Sequence, residues 1–95
     1  MLNQIILVGR LTDTPILETL ESGKTICNIT VAVQRSYKNA DGVYETDFIN
    51  CLLQFGDAEN TCKYCKKGDL IGIKGKLQNN NDKLEVVAER VTFLS

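Results

Sequence analysis

Ninety-five residues, 43% of them hydrophobic, describe one folded domain (1–95) with a single modest core and argue against a disordered chain. Eleven basic against 12 acidic side chains leave a net charge of −1, so any attraction for a polyanion must come from a local basic groove. No apolar run approaches the roughly 18 residues of a membrane span, there is no His to act as general base or metal ligand, and the start "MLNQIILVGR" lacks the pattern of a signal peptide, so a cytoplasmic protein is expected.

The first predicted element is the apolar run "QIILVGRL", residues 4–11, a strand in which Gly9 allows a bend or bulge. "TDTP" and "ESGK" are turns on either side of "ILETL". "TICNITVAVQR", residues 25–35, alternates: Cys27, Ile29, Val31 and Val33 face one way, and Asn28, Thr30, Ala32 and Gln34 the other, as in a half-buried strand. A loop "SYKNADGVYE" follows, turning at Asp41-Gly42. "TDFINCLLQF" alternates again, with Ile49, Cys51 and Leu53 opposite Phe48, Asn50, Leu52 and Gln54, so the two runs predict a long antiparallel hairpin.

"DAENTCKYCKKG", residues 57–68, is the one good helix, with Asp57 as its cap and Gly68 after its last turn. "LIGIKGKLQ" is the next strand, "NNND" a tight polar turn and "KLEVVAERVTFL" the last strand. This order predicts an all-β, five-stranded Greek-key barrel of the OB-fold type, with one α-helix between strands 3 and 4. A single helix cannot supply the crossovers of a parallel sheet.

Residues 34–51, "QRSYKNADGVYETDFINC", place half of the six aromatics (Tyr37, Tyr44 and Phe48) in a charged, turn-forming stretch. Together with "NQIILVGRLTDTP", "SGKTICNITVAVQRSYKN", "ETDFINC", "AENTCKYCKKGDLIGIKGKLQ" and "EVVAERVTFL", it resembles the bacterial single-stranded DNA-binding protein family along nearly the whole chain, most of all in low-GC Gram-positive bacteria.

The resemblance implies an OB-fold, no catalysis and no cofactor or metal. It also implies a homo-oligomer, a tetramer before a dimer, that holds single-stranded DNA without sequence preference during replication, recombination or repair at the nucleoid. Tyr37 and Phe48 match family stacking aromatics. Phe48 also lies on the outward face by alternation. Stacking is worth about 1–3 kcal/mol per base and accepts any base, because every base has a π-face.

Two departures stand out. Gln54 occupies the place of a third family aromatic; Phe55 beside it replaces that ring only if the strand twists or bulges, since alternation turns it inward. "NNND" replaces a long family hairpin that carries a further aromatic and several basic residues. The sequence ends at "TFLS", without the family's acidic tail tip that recruits replication and repair proteins.

Candidate stacking residues are thus Tyr37, Phe48 and Phe55. Candidate phosphate or polar contacts are Arg10, Arg35, Lys38, Gln54, Lys67, Lys74 and Lys76, the last two sharing one face of a strand. Tyr44 stacks or packs the loop, and Tyr64 and Phe93 are expected in the core. "CKYC" continues the apolar helix stripe from Ala58, and neither a second C-x-x-C nor a His accompanies it, so packing is expected rather than zinc or redox chemistry. The alternative function keeps the fold and makes the chain a replication-restart accessory that acts mainly through protein contacts.

Overall fold

The structure, a computed structural model, describes all 95 residues. Its strands follow the alternation of the sequence. Cys27, Ile29 and Val31 on one strand and Cys51 and Leu53 on its neighbour are buried, while the residues between them face outward. In chain order the elements are β1 (Ile5–Leu11), β2 (Glu18–Thr19), β3 (Thr25–Lys38), β4 (Tyr44–Gln54), α1 (Phe55–Tyr64), β5 (Leu70–Asn80) and β6 (Lys83–Phe93).

The sheet runs β1-β5-β6-β4-β3-β2, and β1 also pairs with β3 at Arg10–Ala32 and Leu11–Val31. That second pairing closes five long strands into a barrel, with β4 and β6 parallel and all other pairs antiparallel. This is the expected all-β OB-fold. The two-residue β2, drawn from "ILETL", is an added edge strand, so the helix between the third and fourth long strands falls between β4 and β5.

Closure needs close backbone approach at two corners. A Cβ on Gly9 would collide with the Ala32 carbonyl, and one on Gly75 with the Val87 carbonyl. Opposite Gly75 the register slips, leaving Glu89 unpaired as a bulge that bends β6. The core joins Leu11, Val31, Leu53, Ile71, Ile73 and Val86 to Ala58 of the helix.

Four local expectations are corrected. The helix begins at Phe55, not Asp57: Gln54 is the N-cap with no side-chain bond, and Asp57 sits in the first turn, where its charge suits the helix dipole. The helix also ends at Tyr64, before the expected residues 65–68. Tyr64 and Phe93 are not in the core; they are 63% and 43% exposed and lean on each other. The loop expected at residues 36–45 is largely strand, since β3 runs on to Lys38 and β4 starts at Tyr44.

Candidate single-stranded nucleic-acid interface

The outward surface of β1, β3 and β4 carries the densest set of predicted site residues. Register places Arg10 of β1 opposite Ala32 of β3, and Ala32 opposite Phe48 of β4. Adjacent strands lie about 4.8 Å apart, so Arg10 and Phe48 flank the small Ala32 at about 10 Å. Phe48 is 67% exposed. Arg10, Ala32, Gln34 and Thr46 line one open groove beside it.

Along β3 and β4 the outward pairs continue as Thr30–Asn50, Asn28–Leu52 and Ile26–Gln54. The Thr30 hydroxyl donates to Asn50 Oδ1 at 3.1 Å. These side chains, polar except for Leu52 and Ile26, form a largely polar ladder below Phe48 that runs for about 20 Å, six residues of strand, to Gln54.

Phe55 stands at the end of that ladder. Its φ of 53° lies in the left-handed region, where an L-residue with a Cβ costs roughly 1–2 kcal/mol. The turn breaks the alternation that would have sent the ring inward and leaves it in solvent. Lys24 holds its Nζ 5.3 Å from the ring centroid, a cation–π geometry. Gln54 beside it is half-buried.

At the other end, pairing slips between Gln34 and Lys38, so Arg35, Ser36 and Tyr37 bulge opposite Glu45. Tyr37 is exposed there. Lys38 returns to register opposite Tyr44, its Nζ 5.6 Å from that ring. The tip is tied by Asn39, whose Oδ1 accepts the backbone N–H groups of Asp41 and Val43 at 2.9 and 3.0 Å. Gly42 takes the φ of 76° that this turn requires.

Arg35 is not a free cation. Its Nε and Nη2 donate to both carboxylate oxygens of Asp47 at 3.0 Å, and Nη1 reaches Glu45. The hydrogen bond from Arg35 holds the Asp47 carboxyl below its usual range, and the same bond raises Arg35 further. Arg10 keeps most of its donors free; Nη1 alone donates to the Gly68 carbonyl at 3.1 Å, which brings Arg10 beside exposed Lys67.

Lys74 lies elsewhere. It projects from β5 opposite Arg90, in a groove with Ile6, Val8, Thr92 and Leu94 that contains no ring. Lys76, half-buried, shares its face and lies opposite Val87. The structure therefore groups Arg10, Lys38 and Lys67 with the β3–β4 surface and sets Lys74 apart.

Sequence reading missed Lys24 and the Thr30–Asn50 pair as parts of this surface. The pair was visible as the polar side of two alternating runs. Lys24 had no local signal, because the ring it covers lies 31 positions along the chain.

The cysteines do not form a reactive centre. Burial pushes the thiols of Cys27 and Cys51 up to about 12, aided at Cys27 by the neighbouring Cys62 thiol. Burial also raises Cys65, the second cysteine of "CKYC". A catalytic or redox thiol needs the opposite shift. All four are free and pack as small apolar side chains, three buried and Cys62 half-buried.

A small closed barrel with exposed rings, a polar ladder and flanking cations defines a platform for an extended strand bearing flat bases and anionic groups. A model of the single-strand binding protein family matches residues 2–94. "Single-stranded DNA-binding protein B" of Bacillus subtilis (strain 168) is 42% identical over 103 aligned positions, covering 99% of this chain and 91% of that protein. "Single-stranded DNA-binding protein 1" of Staphylococcus aureus (strain MSSA476) is 45% identical and the "Single-stranded DNA-binding protein" of Halalkalibacterium halodurans 44%. Each match covers 99% of this chain, against 66% and 61% of those proteins. The chain belongs to the single-strand binding protein family.

Proposed function

We propose that this protein binds single-stranded DNA in preference to duplex and without sequence preference, as a binding protein rather than an enzyme. Bases stack on Phe48, Tyr37 and Phe55; Thr30, Asn50 and Gln54 offer hydrogen bonds; Arg10, Lys38 and Lys67 face the phosphates. The observation that carries this reading is Phe48, an aromatic ring 67% exposed mid-strand, between a polar ladder and an arginine two strands away. A ring there gains nothing from the core and offers a face to any base.

The same reading places the protein on cytoplasmic DNA exposed during replication, recombination or repair, as a homo-oligomer joined through β1, a tetramer before a dimer. An open strand edge supports that joint, because β1 has β3 beside it only at Arg10 and Leu11.

Fluorescence anisotropy with labelled oligo-dT tests the proposal. Phe48→Ala and Tyr37→Ala should each weaken binding by about 1–3 kcal/mol. Duplex of the same length should compete poorly. Parent-like affinity in both variants would remove the stacking assignment.

A further inference from the structure

The ring pair at the foot of the helix belongs to none of the sites above. Tyr64 ends α1 and Phe93 ends β6; their centroids lie 6.2 Å apart at 54°, the tilted arrangement aromatic pairs favour. Both are too exposed to be explained by burial alone. Lys63 holds its Nζ 5.2 Å from the Tyr64 ring. Lys66 and Lys67 follow in the next turn, and no carboxylate forms an ion pair with any of the three, since both salt bridges of the chain belong to Arg35.

The patch lies at the barrel end, near the proposed interface but on the other face of the sheet, since Phe93 pairs with buried Ile71 whereas Arg10 pairs with Leu70. Arg10 reaches the Gly68 carbonyl, four residues from Tyr64. Arg10 also pairs across to Leu70, whose carbonyl accepts the N–H of Leu94, the residue after Phe93. A strand leaving the row Phe48–Ala32–Arg10 has to round the lysine turn at the barrel end to meet this second pair of rings.

We infer that Tyr64 and Phe93 form a second base-stacking point for the same single strand, reached past Arg10, with Lys63, Lys66 and Lys67 facing its phosphates. Flat rings beside unpaired cations match the chemistry of a nucleic-acid strand: a face for bases and charge for phosphates. This inference rests on the single-stranded DNA reading and extends its path. A strand long enough to leave the β3–β4 surface engages both stations, and a short one only the first.

The chain has no tryptophan, so one introduced indole reports on one position. Tyr64→Trp and Phe48→Trp proteins are titrated with oligo-dT of about 6 and about 30 nucleotides, one near the short end of what a single such barrel spans and one well beyond it. The Phe48→Trp signal should be quenched by both lengths and the Tyr64→Trp signal strongly only by the longer. Tyr64→Leu combined with Phe93→Leu should lower affinity for the long strand about tenfold and leave the short one unchanged. A Tyr64→Trp signal unmoved at saturation with the long strand, while Phe48→Trp is quenched, overturns the second station and makes the pair a simple lid or a peptide-binding patch. If neither signal moves and anisotropy detects no binding, the single-stranded DNA reading itself falls, and this inference with it.

Discussion

Arg35 shows how one side chain can look like a phosphate contact and serve another purpose. From sequence it is a cation beside Tyr37. In the structure its planar fork is filled by Asp47 and Glu45, which brace the β3 bulge. The two carboxylates also place negative charge where a phosphate would approach. Replacing them by their amides, Asp47→Asn with Glu45→Gln, frees Arg35 and removes two repulsive charges. Single-strand affinity should rise by about tenfold, with a steeper salt dependence. A fall in affinity would instead mean that the clamp positions Tyr37, and that its order matters more than Arg35's charge.

The buried thiols give a pH signature at the same scale. Cys27 and Cys51 hold their protons up to about pH 12 in the fold, against an unfolded value of 9.0. Between these values the unfolded chain has lost protons that the folded chain keeps, so stability must fall as pH rises. Below pH 9 these two groups contribute no pH dependence. Urea unfolding at pH 7, 9 and 10.5 should show a level midpoint, then a drop, reduced in a Cys51→Ala variant. A level midpoint throughout would mean that the thiols are hydrated.

At the scale of elements, alternation makes most of the barrel legible in the sequence. The buried sets of β3 and β4 are those the sequence marked, because a half-buried strand writes its two faces into every second residue. What stayed hidden depends on contacts distant in sequence. The helix start was misplaced because a left-handed Phe55 turns the chain two residues early, and local propensity disfavours that conformation. Tyr64 on the helix and Phe93 on the last strand read as core, yet each lies at its element's end, where the barrel no longer covers it. The turn after β5 shrank from four residues to two, Asn81 and Asp82, both at positive φ, so the strands simply run further. Nothing local in "LIGIKGKLQ" singles out Gly75, while the fold uses it as the corner against Val87. Gly75→Ala should therefore cost about 1–3 kcal/mol, since the obstacle is backbone and cannot rotate away. Thermal melts of this variant beside Gly56→Ala, where a Cβ meets nothing within 4 Å, make the comparison. Equal losses would show that the corner can relax.

At the scale of the whole molecule, the open edge of β1 bears on the proposed self-association and the field around the barrel on the attraction for DNA. Asn3 extends that edge: its side-chain amide donates to the Leu77 carbonyl and accepts the Leu77 N–H, so the ladder with β5 continues past the strand's formal start. Ile6, 72% exposed, and Val8 stand on the outer face of the same strand. An apolar edge of this kind invites pairing with a second copy. Ile6→Lys with Val8→Lys adds charge beside Lys74 and Arg90, which already face each other, and should shift the protein toward a monomer of 10.6 kDa in sedimentation equilibrium at micromolar concentration. A parent already monomeric there would refute association. The salt response belongs to the same scale. Net charge is −1, Arg35 is engaged by carboxylates and Lys74 faces another groove, so the proposed interface offers phosphate few cations per chain. Each phosphate neutralised on a single strand lowers log K by about 0.7 per unit of log salt, so the slope should be on the order of 2 to 4 per subunit. Affinity for long oligo-dT measured across a salt series gives that slope. A much steeper value would mean that Lys74 or Lys76 also lies along the strand's path, and that the compact Asn81–Asp82 turn takes away less binding surface than its length implies.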